Sequence, residues 1–216
     1  GIPMATDIAF AVGILVLLVY PAIVLRKYVR IMINIIDEQA PDSEPDPRNG
    51  NGLHGEDVEF RAADGHLLHG EILRGNPDRP QRGVVIFAHE FDSDRRSCLR
   101  YGRFLLAYGY DLITFDFRGH GQSAHESGYK PRQFPSDRER SDMLGAIAFV
   151  GEWLEQQGRP RDVGLFGVSR GAGAAILASA STGNVKAIIL DSAFSSDTTL
   201  EYFMKRFATI FAKIRV

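Results

Sequence analysis

Cysteine is nearly absent from this chain: Cys98 stands alone among 216 residues. One thiol excludes an intramolecular disulfide and a thiolate metal cluster. It fits a reducing compartment, and its plain role is that of a small buried hydrophobe. A basic excess is missing too. The 25 Lys and Arg against 27 Asp and Glu leave a formal net charge of −2, without the basic footprint of a nucleic-acid binder. No His, Asp or Glu spacing resembles a metal site, no cofactor is implied, and no internal repeat is visible. Histidine runs out early: the last of six is His125.

The chain is 44% hydrophobic and 24% charged, enough for one sizeable core. The apolar residues are unevenly spread. From Ile8 to Leu25 (IAFAVGILVLLVYPAIVL) eighteen residues carry no charge. As a helix they rise about 27 Å, close to the roughly 30 Å hydrocarbon core of a bilayer. Twelve of them are Leu, Ile, Val or Phe, worth at most about −4 to −7 kcal/mol of insertion free energy. A buried core helix of this length would show a polar stripe, and a cleaved signal peptide a basic start and a shorter run; here Asp7 precedes the run. The expectation is a retained transmembrane helix over residues 5–29, kinked near Pro21, with the lipid bilayer as its partner. Arg26, Lys27 and Arg30 follow the span with no basic side chain before it, which puts the rest of the chain on the cytoplasmic side.

Asp37–Glu56 (DEQAPDSEPDPRNGNGLHGE) holds three prolines, the run Asn49–Gly52 and many acids. It reads as a flexible tether, unable to bury enough apolar surface to fold. The chain thus divides into an anchor (residues 1–36), a linker (37–56) and a folded domain (57–216). In the domain, Asp57–Ala62, the turn at Asp64-Gly65 and His66–Leu73 predict an antiparallel hairpin. The apolar runs Gly83–His89, Asp111–Asp116, Asp162–Val168 and Val185–Asp191 then alternate with helical stretches at Ser97–Tyr108, Asp137–Gln157, Arg170–Ser181 and Asp197–Lys213. Continuous rather than alternating apolar runs mark strands buried on both faces. The predicted fold is α/β, a mostly parallel six-stranded sheet with helices on both faces, preceded by one transmembrane helix.

The chemistry sits at Gly164–Ala175, GLFGVSRGAGAA, which contains Gly167-Val168-Ser169-Arg170-Gly171. Alone a G-x-S-x-G is weak, but this one follows an apolar strand and opens a helix of small residues, the setting of a nucleophile elbow. The turn forces Ser169 into a strained backbone conformation, and the flanking glycines permit close approach of strand and helix. The helix N-terminus supplies N–H groups for a developing oxyanion. The competing reading, a phosphate-binding turn, lacks the third glycine of that fingerprint, and no acid tips the next strand until Asp191.

Upstream lie His89-Glu90-Phe91 and Asp116-Phe117-Arg118-Gly119-His120-Gly121-Gln122-Ser123. These segments, in this order, resemble the α/β-hydrolase superfamily, and within it the serine aminopeptidase/lipase-like (S33) branch. The likeness covers Asp57 to about Arg215. It implies Ser169 as nucleophile and an oxyanion hole of the Phe91 and Arg170 backbone N–H groups. It makes His89 and His120 residues that pin loops near the site. Glu90 departs from the usual glycine and resembles dienelactone-hydrolase-like relatives; its carboxylate either alters substrate choice or points to solvent. The Arg170 side chain either attracts an anionic substrate group or is exposed, and Asp142 reads as a helix-surface acid. His54 falls in the tether, His66 and His69 in the hairpin, His125 in a loop.

In α/β-hydrolases the triad runs Ser, then Asp or Glu, then His along the chain. Asp191, Asp197 and Glu201 follow Ser169, but no histidine does. By the resemblance Val185–Asp191 is the sixth of eight strands, and the triad acid and histidine are expected beyond residue 216. Without that histidine the residues given are expected to be inactive by a triad, because serine without a base is a poor nucleophile. Two functions follow as expectations. One is a membrane-anchored serine hydrolase of ester, thioester or small amide bonds, acting on a small ester-like substrate through an acyl-enzyme. The other is a non-catalytic relative serving as subunit or scaffold of a membrane protein complex.

Overall fold

The computed structural model describes residues 53–195 throughout, and also 12–13, 16, 19–20, 22–24, 26–27, 29–30, 198–199, 201–202 and 204–206. By contacts the chain divides into two units, Gly1–Asp42 and Ser43–Val216. In the first, every described residue between Val12 and Arg30 is helical, with π-type turns at Val16 and Val19. Among the described residues no helix is long and apolar enough to cross a membrane. The expected span over residues 5–29, Pro21 included, lies largely outside the described residues, as does most of the tether.

In the second unit the hairpin forms from β1 (Glu56–Arg61) and β2 (Leu67–Leu73), antiparallel from Glu56 opposite Ile72 to Arg61 opposite Leu67. Gly65 closes its turn at φ 90°, a left-handed conformation that glycine adopts without steric cost. β2 pairs antiparallel with β4 (Tyr110–Phe115). β4, β3 (Gly83–Ala88), β5 (Val163–Val168) and β6 (Val185–Asp191) are parallel. The strand order among the described residues is β1-β2-β4-β3-β5-β6. The all-apolar runs are central because parallel strands are covered on both faces: Ile86, Phe87 and Ala88 of β3 are fully buried.

One face of the sheet packs on α3 (Asp137–Glu155) and α4 (Arg170–Ser179), through Ile86, Phe115, Met143, Ile147, Val150 and Ala174. The other packs on α1 (Cys98–Tyr101) and α2 (Arg103–Ala107), through Phe87, Leu99, Leu106, Leu112 and Phe166. The stretch expected as a single helix over Ser97–Tyr108 is broken at Gly102, at φ −112° and ψ −2°. There the chain turns against β4: a Cβ at Gly102 would lie 3.3 Å from a Leu112 methyl.

The tether ends earlier than the expected Glu56. Leu53 packs against the second core cluster, the Gly55 N–H donates to the Glu71 carboxylate, and Glu56 opens β1. Asp142 is not a helix-surface acid. It is fully buried and accepts from Arg118 N, Nε and Nη2 at 3.0, 2.9 and 2.6 Å. Arg118 also bonds Asp64 of the hairpin turn and Glu126, tying turn, loop and α3 into one charged cluster. A buried arginine needs that many acceptors.

β6 is exposed along almost its whole length, with Ile188, Ile189 and Leu190 each about two-fifths accessible. It pairs with β5 on one side.

Candidate active site

Ser169 stands alone between β5 and α4, at φ 51° and ψ −113°. Its φ is positive, as the elbow reading requires, but its ψ lies outside the left-handed helical well. The flanking glycines are forced by distance. A Cβ on Gly167 would fall 2.5 Å from Ala172 Cα, and one on Gly171 would fall 2.1 Å from the carbonyl oxygen of Ala88. No side chain fits there, so the elbow presses directly on the end of β3. The Ser169 N–H donates to Asp191 O at 2.8 Å, and its own carbonyl accepts from Ala172 and Gly173. The hydroxyl is half-buried, and Oγ accepts from Gln133 Nε2 at 3.4 Å.

Among the described residues the non-glycines with positive φ are Asp92, Ser169 and Ser192. They follow β3, β5 and β6, at the carboxyl ends of parallel strands where open α/β sheets bind ligands. Strain of about 1–3 kcal/mol each concentrates at functional sites of this kind.

The loop after β3 carries His89, Glu90 and Phe91. His89 accepts at Nε2 from the Phe117 N–H (3.1 Å) and donates from Nδ1 to its neighbour's carbonyl, Glu90 O (2.7 Å). Both ring nitrogens are committed. Burial, with the Arg170 charge nearby, pushes its pKa down to about 3, so the ring is neutral. His120 is likewise lowered to about 3, by burial and then by His89 and Arg170, and its Nδ1 donates to Arg118 O. Its ring meets His89 edge-on at 5.1 Å and Phe91 at 6.1 Å. The two histidines brace the loops. The Glu90 carboxylate accepts from Ser97 Oγ at 2.9 Å, turned toward the start of α1 and half-buried rather than solvated.

The D-x-R-G-H-G-x-S stretch is a second brace. Asp116 accepts from the Arg95 and Gln122 backbone N–H groups and pairs with the Arg95 guanidinium at 2.5 Å. Gly121, at φ 48°, lies where a Cβ would sit 2.3 Å from that carboxylate. Ser123 Oγ donates to Asp116 O and accepts from the His69 N–H.

The Arg170 side chain neither reaches out for an anion nor is exposed. It is fully buried, donating from Nη2 to Glu139 Oε1 at 2.6 Å and to Tyr129 Oη at 3.3 Å. Its guanidinium lies 5.7 Å from the Phe91 ring centroid and 5.5 Å from that of Phe117, cation–π range. Burial lowers its pKa and raises that of Glu139, while their mutual attraction opposes both shifts.

Glu139 and Gln133 escaped the sequence reading. Glu139 had a signal in Ser136-x-x-Glu139, a capping box at the start of α3. Gln133, in an irregular loop, had none. Among the described residues no group of three or more His, Cys, Asp or Glu could hold a metal ion.

A strained serine between strand and helix, glycines crushed against the neighbouring strand and a braced loop after β3 define an α/β-hydrolase site. The chain belongs to the serine aminopeptidase S33 family, whose model matches residues 79–216. An uncharacterized 31.7 kDa protein of Escherichia coli, from the traX-finO intergenic region, is 29% identical over 146 residues, 66% of this chain and 47% of that protein. The esterase Pf2001 of Pyrococcus furiosus superimposes with TM-score 0.56 at 25% identity, over 79% of this chain and 62% of the esterase. A second crystal form of it gives 0.52 at 28% identity, over 72% and 56%. The chain spans about half the length of the curated relatives it matches.

Proposed function

We propose that this protein is a membrane-anchored serine hydrolase that cleaves ester, thioester or small amide bonds through an acyl-enzyme on Ser169. The observation that carries the reading is the φ 51° conformation of Ser169, held between Gly167 and Gly171. In the proposed reaction Oγ attacks the substrate carbonyl, and the backbone N–H groups of Phe91 and Arg170 receive the oxyanion. A base must come within roughly 3 Å of the hydroxyl. His89 does not qualify, since both its nitrogens are engaged. We assign the base to a histidine, and its orienting acid to a carboxylate, beyond residue 216, on strands that would also cover β6. The charge-free run Ile8–Leu25 supports the anchor, and the cations that follow it support a cytoplasmic hydrolase domain.

A second reading, a non-catalytic subunit of a membrane complex, is favoured by one observation. The hydroxyl of Ser169 is engaged by a carboxamide rather than an imidazole. The full-length protein and its Ser169→Ala variant, assayed on p-nitrophenyl butyrate, separate the two. Turnover in the first that falls by about 10³-fold or more in the second supports the hydrolase. Equal turnover in both overturns it.

A further inference from the structure

The nucleophile has a polar neighbour that no motif contains. Gln133 Nε2 lies 3.4 Å from Ser169 Oγ, in the irregular segment between Tyr129 and Ser136. That segment is held at several points. Tyr129 Oη donates to Glu139 Oε1, while Ser136 donates to Glu139 Oε2 from its backbone N (2.6 Å) and its hydroxyl (2.7 Å). Glu139 is fully buried and its Oε1 also takes Arg170 Nη2. One carboxylate thus grips both ends of the segment and the residue after the nucleophile. Between those ends Phe134 packs edge-on against Phe194 at 5.4 Å. Pro135 sits so close to α4 that a Cβ on Gly173 would fall 2.7 Å from it. The loop that carries Gln133 is thus tied to α3 and α4 beside the serine.

We propose that Gln133 is a catalytic residue of the serine chemistry, donating its carboxamide N–H to Oγ while that oxygen carries developing negative charge. The inference rests on the hydrolase reading above. In acylation the Oγ–C bond forms as the carbonyl electron pair moves to oxygen and the Oγ proton passes to the general base; that pair then re-forms the carbonyl, the bond to the leaving group breaks, and the leaving group takes the proton from the base. In deacylation a water oxygen bonds to the acyl carbon and gives its proton to the base. The Oγ–C bond then breaks and its electron pair returns to Oγ, which recovers a proton from the protonated base. The Gln133 proton is not transferred in either step. It stabilises the partial charge on Oγ as that bond forms and breaks, a contribution of electrostatic preorganisation. The 3.4 Å contact is long for a hydrogen bond in the free protein, and such contacts tighten on the way to the transition state.

The test compares full-length wild type, Gln133→Ala and Gln133→Glu, all assayed on p-nitrophenyl butyrate from pH 5 to 9, with thermal midpoints measured alongside. Gln133→Ala is expected to lower kcat about 10- to 100-fold, with KM within about twofold and an unchanged midpoint. Gln133→Glu, isosteric but with an anion in place of the donor, is expected to be worse at pH 8. Its activity relative to wild type should rise as the pH falls and its carboxyl becomes a donor, while the ratio of Gln133→Ala to wild type stays flat. A purely structural role for Gln133 would not produce that profile. If wild type turns over and Gln133→Ala matches it in kcat, or if Gln133→Glu shows no recovery relative to wild type in acid, the proposal is overturned while the hydrolase reading stands. If wild type neither turns over nor reacts with a fluorophosphonate, both fall.

Discussion

At Ser169, strain and the proposed function are in tension. A non-glycine at φ 51° and ψ −113° costs about 1–3 kcal/mol, held in place by contacts that leave the backbone no alternative. Glycine reaches that conformation without the penalty. Ser169→Gly is therefore expected to raise stability by about 1 kcal/mol, read as a higher urea midpoint at unchanged slope, while abolishing turnover. A lower midpoint would show that the conformation is not strained. The elbow was legible in the sequence because its glycines answer to steric contacts, with Ala88 O only 2.1 Å from a would-be Cβ. The fates of Asp142 and Arg170 were not legible. Their partners Arg118 and Glu139 lie 24 and 31 residues away, and nothing local records a pairing across that separation. Gln133 meets Ser169 across 36 residues from a segment without periodicity.

At the scale of elements, the loops after β3 and β4 are braced by two neutral imidazoles, and this makes the fold acid-sensitive. His89 and His120 have folded pKa values of about 3 against an ordinary value of 6.5. A lowered histidine pKa means the unfolded chain binds the proton first. Stability is therefore fully present above about pH 6.5 and lost progressively as the pH falls toward 3. The two groups together are expected to remove about 2–3 kcal/mol between pH 7.5 and 5.5, measured as a fall in urea midpoint. His120→Gln should remove about half of that slope; a midpoint flat to pH 5.5 in wild type would contradict the assignment. Elements were the most legible level, since apolar strand runs such as VVIFA and AIIL, bounded by glycines and charges, leave little choice. The break at Gly102 was missed because it comes from α1 and α2 fitting around Leu112 of β4, a tertiary contact.

For the molecule as a whole, the described sheet is asymmetric. Its β1 side ends in a hairpin strand with four charged residues in six, EDVEFR, which discourages pairing with another edge. Its β6 side presents Ile188, Ile189 and Leu190. A fragment of residues 43–216 is therefore expected to self-associate with rising concentration in sedimentation velocity, and Ile189→Lys to reduce that association. A longer protein whose further strands cover β6 should be monodisperse. A fragment monomeric at high concentration would show that this edge is not sticky. The central claim, that Ser169 is an acylable nucleophile, is tested most directly by treating the full-length protein with a fluorophosphonate and locating the adduct by peptide mass spectrometry. The account predicts rapid stoichiometric modification of Ser169, absent in Ser169→Ala. A protein that stays unmodified, or carries the adduct elsewhere, would contradict it.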